Sequence, residues 1–171
     1  TTISNKSCAE RLRRWVVVPI NPHEMDERGE YSTPKWHVMT TEANVKGTLV
    51  RAMRDVMQGA VIFRHEDRHL FGVPDISCTW AGRTTWWEVK FGAPRFHITE
   101  VQLLTCRKLA RRGHGGFIIF HGVEPLTAFI IHPEKMAEWT IATSDHLYQC
   151  TGFDYRALAT YIKGVHHDTM G

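Results

Sequence analysis

An aspartate, a glutamate and a lysine, Asp75, Glu88 and Lys90, sit on two short runs of strand-forming residues, Asp75 to Trp80 and Thr84 to Lys90, joined through Ala81-Gly82. Such runs about a small-residue pair predict a hairpin with a two-residue turn. That turn pairs Trp80 with Arg83 and sets Asp75 opposite Glu88. Directly opposed side chains have Cβ atoms roughly 4.5–5.5 Å apart, where like charges repel. Side chains alternate along a strand, so Glu88 and Lys90 share a face while Trp87 and Val89 point away. Asp75, Glu88 and Lys90 are thereby expected to converge on one side of the sheet. Two carboxylates held together want a cation, and hard oxygen donors favour Mg2+ or Mn2+ over zinc. An ammonium beside them can steady a phosphate oxygen or an attacking hydroxide, the outline of a metal-assisted phosphodiester hydrolase. Singly, an aspartate after proline is a turn residue and Glu-x-Lys a solvated strand face. Flanked by Val73, Ile76, Trp86, Trp87 and Val89, the set would be costly to hold partly buried without a partner.

The elements that must position these groups follow from periodicity. Val45, Leu49, Ala52, Met53 and Val56 recur at helical spacing, predicting a helix from Glu42 to Gln58 with Gly59 as its C-cap. Ala60 to Phe63 reads as a buried strand, and the hairpin follows. Thr99-Glu100-Val101-Gln102 is a capping box that opens a helix to about Arg112, ended by Gly115-Gly116. Strands are predicted at Phe117 to Phe120 and Leu126 to Ile131, and a closing helix at Asp154 to Lys163. The order is helix, three strands, helix, strands: a single α/β domain, with a central mixed sheet flanked by helices. Glu42 shares the apolar, sheet-facing side of its helix with Val45 and Leu49. An acid in a first turn is equally explained by the helix dipole.

Gly72-Val73-Pro74-Asp75, followed after twelve residues by Glu88-Val89-Lys90, resembles the PD-(D/E)xK nuclease signature. With Glu42 at the head of the preceding helix, the "GxPDL"-like Gly72 to Ile76 and Thr99 to Gln102 downstream, the set is similar to the VRR-NUC branch, related to Holliday-junction resolvases and to phage and restriction nucleases. The resemblance covers roughly residues 41 to 121. It implies a restriction-endonuclease-like αβββαβ core and a nuclease domain at 41–171, with 1–40 as an extension or cap. It also implies that Asp75, Glu88 and the main-chain carbonyl of Val89 bind Mg2+ or Mn2+. Glu42 would complete the metal shell, Lys90 would be the catalytic lysine, and Gln102 would line the site. The implied activity is endonucleolytic hydrolysis of DNA, with branched or junction DNA as substrate and a homodimer where two strands are cut. A sequence-specific restriction-type nuclease, and a nucleic-acid-binding module that does not cut, are the alternatives. One departure is Phe91-Gly92-Ala93-Pro94-Arg95-Phe96, bulkier than the usual glycine-rich link, which bears on substrate preference.

Other patterns carry less. His65-Glu66-Asp67-Arg68-His69 matches H-E-x-x-H, but zinc ligation needs both histidines on one helix face. Here a β-branched run precedes the match and Gly72 and Pro74 follow it. A strand end and loop are expected, from which Arg68 or His69 could touch phosphate. Arg95, Arg107, Lys108, Arg111 and Arg112 face a single acid, Glu100, over residues 91–121, a local charge of +4. A helix with that balance can follow a phosphate backbone. Trp80, Trp86 and Trp87 could stack on unpaired bases, although core packing accounts for at least two of them.

The 171 residues fit one domain. At 43% hydrophobic and 23% charged the chain is neither disordered nor fibrous. No apolar run approaches the ~20 residues of a membrane helix, and the N-terminus lacks a signal-like apolar stretch. A net charge of +3 is compatible with a polyanionic partner. Cys8, Cys78, Cys106 and Cys150 include no C-x-x-C pair, so reduced thiols in a reducing, cytoplasmic compartment are expected. A possible first helix at Ala9 to Trp15 and a loop at Pro19 to Pro34 complete the reading.

Overall fold

Thr41 opens the first helix of the computed structural model by accepting the Asn44 N–H on its side-chain oxygen. The structure describes residues 41–66, 72–92, 96–113, 115–123, 125–140 and 146–167, and the backbone of 16–17. The elements along the chain are β1 (Val16–Val17), α1 (Glu42–Val56), β2 (Val61–Arg64), β3 (Ile76–Trp80), β4 (Arg83–Gly92), β5 (His97–Ile98), α2 (Glu100–Ala110), β6 (Gly115–His121), β7 (Thr127–Ile131), β8 (Tyr148–Thr151) and α3 (Tyr155–Val165). The expected first helix at Ala9 to Trp15, the loop at 19–34 and Cys8 lie outside the described residues.

Six strands form one mixed sheet in the order β2-β3-β4-β6-β7-β8, and β1 pairs with β5 apart from it. The β4–β6 pair is parallel, with α2 as its crossover, and the other neighbours in the sheet are antiparallel. Alternation along the strands divides the core in two. Trp87, Val89, Ile118, Phe120, Ala128 and Ile130 pack with Val45, Leu49 and Met53 of α1 and Leu158 and Ile162 of α3. Phe117, Ile119, Phe129 and Ile131 pack with Leu103 and Cys106 of α2. The sheet is therefore covered on both faces, which is the α/β architecture expected.

The hairpin forms as its turn residues dictate. Ala81 and Gly82 both have positive φ, +49° and +78°, the requirement of a type I′ turn. The ladder runs from Trp80↔Arg83 to Ile76↔Trp87.

Some expectations need correction. The strand at Ala60 to Phe63 is not buried: β2 is at the sheet edge, with Val61 and Phe63 exposed and only Ile62 in the core. α1 ends at Val56 with Met57 as its C-cap, and Gly59 lies in the turn beyond. Gly115 and Gly116 do not end α2; Gly113, at φ +75°, takes the left-handed position after it, and the glycine pair belongs to β6. The reason is close approach: a Cβ on Gly115 would lie 1.7 Å from the Trp86 carbonyl oxygen. The short β8, with its half-polar Tyr148-Gln149-Cys150-Thr151, had no apolar run to announce it.

Candidate active site

The hairpin register carries the acids to one end of β3 and β4. The ladder ends at Ile76↔Trp87, and the same register continued past it would set Asp75 against Glu88 and Pro74 across from Val89. Proline has no N–H, so the Val89 carbonyl is denied the ladder bond that another residue would donate there. The Val89 N–H, which a continued ladder would give to the Pro74 carbonyl, donates to Asp75 Oδ2 at 2.9 Å. A residue's N–H and C=O leave an antiparallel strand on the same edge, so the Val89 carbonyl is directed to the Asp75 side. The Asp75 carboxylate thus lies between the strand ends, and does not stand over the sheet face with Glu88 and Lys90 as alternation alone suggested. Its main-chain carbonyl accepts from His65 N at 2.8 Å. The preceding loop is pressed onto α2: a Cβ on Gly72 would fall 2.4 Å from Val101 Cγ1.

Glu88 faces α2 and is 1% exposed. Its Oε1 accepts from Lys90 Nζ at 2.8 Å and from Gln102 Nε2 at 2.5 Å. Its Oε2 is buried and has no partner among the described residues. Burial pushes this carboxyl up to about 7, Asp75 adds to the rise, and the positive charges of Lys90 and Lys46 oppose it. The same burial, with the Glu88 charge added, raises the Cys106 thiol well above its usual range.

The helices on opposite faces both reach this end of the sheet. From α1, Glu42 Oε2 accepts from Phe91 N at 3.4 Å, and Glu42 Oε1 lies 2.7 Å from Lys46 Nζ. Lys46 Nζ is also 2.6 Å from Asp75 Oδ1. Burial draws the Lys46 ammonium down, but hydrogen bonds and charge from Asp75 and Glu42 outweigh it, and the net shift is upward. From α2, Gln102 both closes the capping box with Thr99 and holds Glu88. The structure thus brings together Asp75, Glu88, Lys90, Glu42, Gln102 and the Val89 main chain, and it adds Lys46. Sequence reasoning missed that lysine, although Glu42 and Lys46 stand at i and i+4 with the acid N-terminal, the favourable order for a helical ion pair.

Among the described residues no group of three or more His, Cys, Asp or Glu side chains is gathered as a ready metal cage. The donor set still suits a hard cation. The bare Oε2 of Glu88, the Asp75 carboxylate and the Val89 carbonyl are all oxygen donors, and magnesium keeps several waters in its shell.

The basic helix face is partly spoken for. Arg107 and Arg111 both reach Glu134, at 3.3 and 2.9 Å, an acid that lies outside residues 91–121. Lys108 and Arg112 are exposed, while Arg68 and Arg95 lie outside the described residues. Trp87 is core, its Nε1 donating to Thr85 Oγ1 at 2.9 Å. Trp80 meets the rings of His166 and His167 edge-on. Trp86 is half-buried on the Glu88 face, stacked on His65 at 5.5 Å. His65 also bonds Ser77 Oγ at 2.9 Å and follows β2 in non-helical backbone; Asp67 to His69 lie outside the described residues. No helix among the described residues is long and apolar enough to cross a membrane. No protein-family model and no curated protein matches the chain.

Proposed function

We propose that this chain is a divalent-metal-dependent endonuclease of the PD-(D/E)xK type, nearest to the VRR-NUC branch, that hydrolyses DNA phosphodiester bonds, with branched or junction DNA as its substrate. The observation that carries the reading is the buried Oε2 of Glu88, without a partner among the described residues, beside Asp75 and with the Lys90 ammonium on the same carboxylate. Asp75, Glu88 and the Val89 carbonyl would hold Mg2+ or Mn2+, and Glu42 would join through water. The bound ion supplies an activated water and neutralises charge developing on the phosphate. Lys90, fixed by Glu88, presents an ammonium to a phosphate oxygen or the attacking water. Gln102 keeps the Glu88 carboxylate in one orientation. Lys108 and Arg112 extend positive charge along α2 for the DNA backbone.

A second reading is favoured by one feature: Lys46 and Lys90 already satisfy an oxygen of each strand acid, as a charge network in a non-cleaving nucleic-acid-binding module would. Incubation with linear, single-stranded, flapped and four-way DNA, with and without Mn2+, separates the two. Metal-dependent cutting of a branched substrate is expected, lost in Asp75→Ala and reduced roughly 10²–10³-fold in Lys90→Ala, the scale for one preorganised electrostatic group. Retained DNA binding without cutting on any substrate selects the second reading.

A further inference from the structure

Lys46 has no part in the mechanism above, yet its ammonium lies 2.6 Å from Asp75 Oδ1 and 2.7 Å from Glu42 Oε1, on a side chain only 14% exposed. Buried Val45 and Leu49 anchor α1 against the sheet on either side of it, so the helix delivers the amine to this spot by construction. An ammonium between two carboxylate oxygens, largely shielded from water, occupies the electrostatic position of a hard cation.

We infer that Lys46 is a built-in counter-ion occupying, on Asp75 and Glu42, part of the oxygen set that the divalent metal would share with Glu88, and that metal binding displaces it towards the substrate phosphate. The inference rests on the metal-dependent reading. Charge balance supports it. Once Glu88 is ionised, as it must be to hold a metal, Glu42, Asp75 and Glu88 against Lys46 and Lys90 leave one formal negative charge in the cation-free protein. A dication turns that into one positive charge, and the single negative charge of a phosphodiester brings it to zero. Lys46 therefore opposes metal binding in the free protein and opposes it less once DNA supplies a phosphate to receive the amine. It couples the two ligands, and such coupling is reciprocal. The long, flexible lysine stem allows the amine to leave Asp75 without any movement of α1.

The test is calorimetric titration of the full chain and of Lys46→Gln with MnCl2 in the absence of DNA. Lys46→Gln is expected to bind Mn2+ roughly tenfold more tightly, within the usual range of coupling between sites. Equal or weaker binding by Lys46→Gln, with clear binding by the wild type, overturns the inference and leaves the metal-dependent reading standing. Absence of Mn2+ binding in both proteins overturns both. Should Lys46→Gln unfold from repulsion between Glu42 and Asp75, melting is followed against MnCl2 instead. Recovery of the folded form at lower Mn2+ than shifts the wild type supports the inference; no recovery overturns it.

Discussion

Gln102 ties Glu88 to the start of α2: its Nε2 donates to Glu88 Oε1 at 2.5 Å while its Oε1 accepts from Thr99 N at 2.9 Å. One amide fixes both a helix terminus and the buried acid. Gln102→Leu removes both bonds and is expected to cost about 1–2 kcal/mol in denaturant unfolding. Gln102→Glu keeps a good capping-box residue but sets a second carboxylate against Glu88. At pH 8 it should be less stable than Gln102→Leu. The reverse order would mean that capping, rather than the Glu88 contact, is what Gln102 contributes.

The pH dependence of stability without metal follows from Glu88. Its carboxyl sits at about 7 in the fold against 4.5 when unperturbed. Between those values the folded state holds a proton that the unfolded chain has released, so stability falls as pH rises through this window. Glu88→Gln has no such proton. In chelator, its stability relative to wild type should increase from pH 4.5 to 7.5, by up to about 3 kcal/mol. Burial depresses the His121 and His166 imidazoles, which lowers stability below about pH 6.5 in both proteins and cancels in the difference. A flat difference across the window would contradict the raised carboxyl.

Two glycines bracketing the α2–β6 junction should respond very differently to alanine. Gly113 has φ +75° and open space around a Cβ, so Gly113→Ala should cost about 1–2 kcal/mol for the left-handed conformation. Gly115→Ala would drive a methyl into the Trp86 carbonyl and should cost more than about 3 kcal/mol, or prevent folding. Thermal or urea unfolding of both variants checks this.

If the chain binds DNA as proposed, the salt dependence of that binding tests the α2 face. Lys108→Ala and Arg112→Ala should each reduce the slope of log K against log[salt] by about 1, the effect of losing one phosphate contact. Arg111→Ala should change it less, because Arg111 is already paired with Glu134. Equal effects at all three positions would place Arg111 on the DNA instead.

What the sequence revealed and what it hid divide along the range of the interactions. The hairpin, its register and the capping box are written in neighbouring residues: Ala81-Gly82 fixes the pairing, and Thr99 with Gln102 fixes the helix start. The position of the Asp75 carboxylate was not legible, because it depends on the ladder stopping at Ile76↔Trp87, which leaves the Val89 N–H to the Asp75 side chain. The Lys46–Asp75 contact joins residues far apart in the chain, and only its Glu42 half has a local signal. Glu134 escaped the charge count for the same reason: it lies beyond β7, yet folds back onto Arg107 and Arg111. Gly115-Gly116 read as a helix stop because nothing local shows how closely the Trp86 backbone passes.

The acids sit at one end of the hairpin and the loop that aligns them at the other. A strand's side-chain period is two, so one inserted residue at Ala81-Gly82 would slide β3 by a step and present Trp87 where Glu88 belongs. On the proposed function, the length of that loop matters more than its spelling, and one residue gained there would disarm the site without touching any of its members.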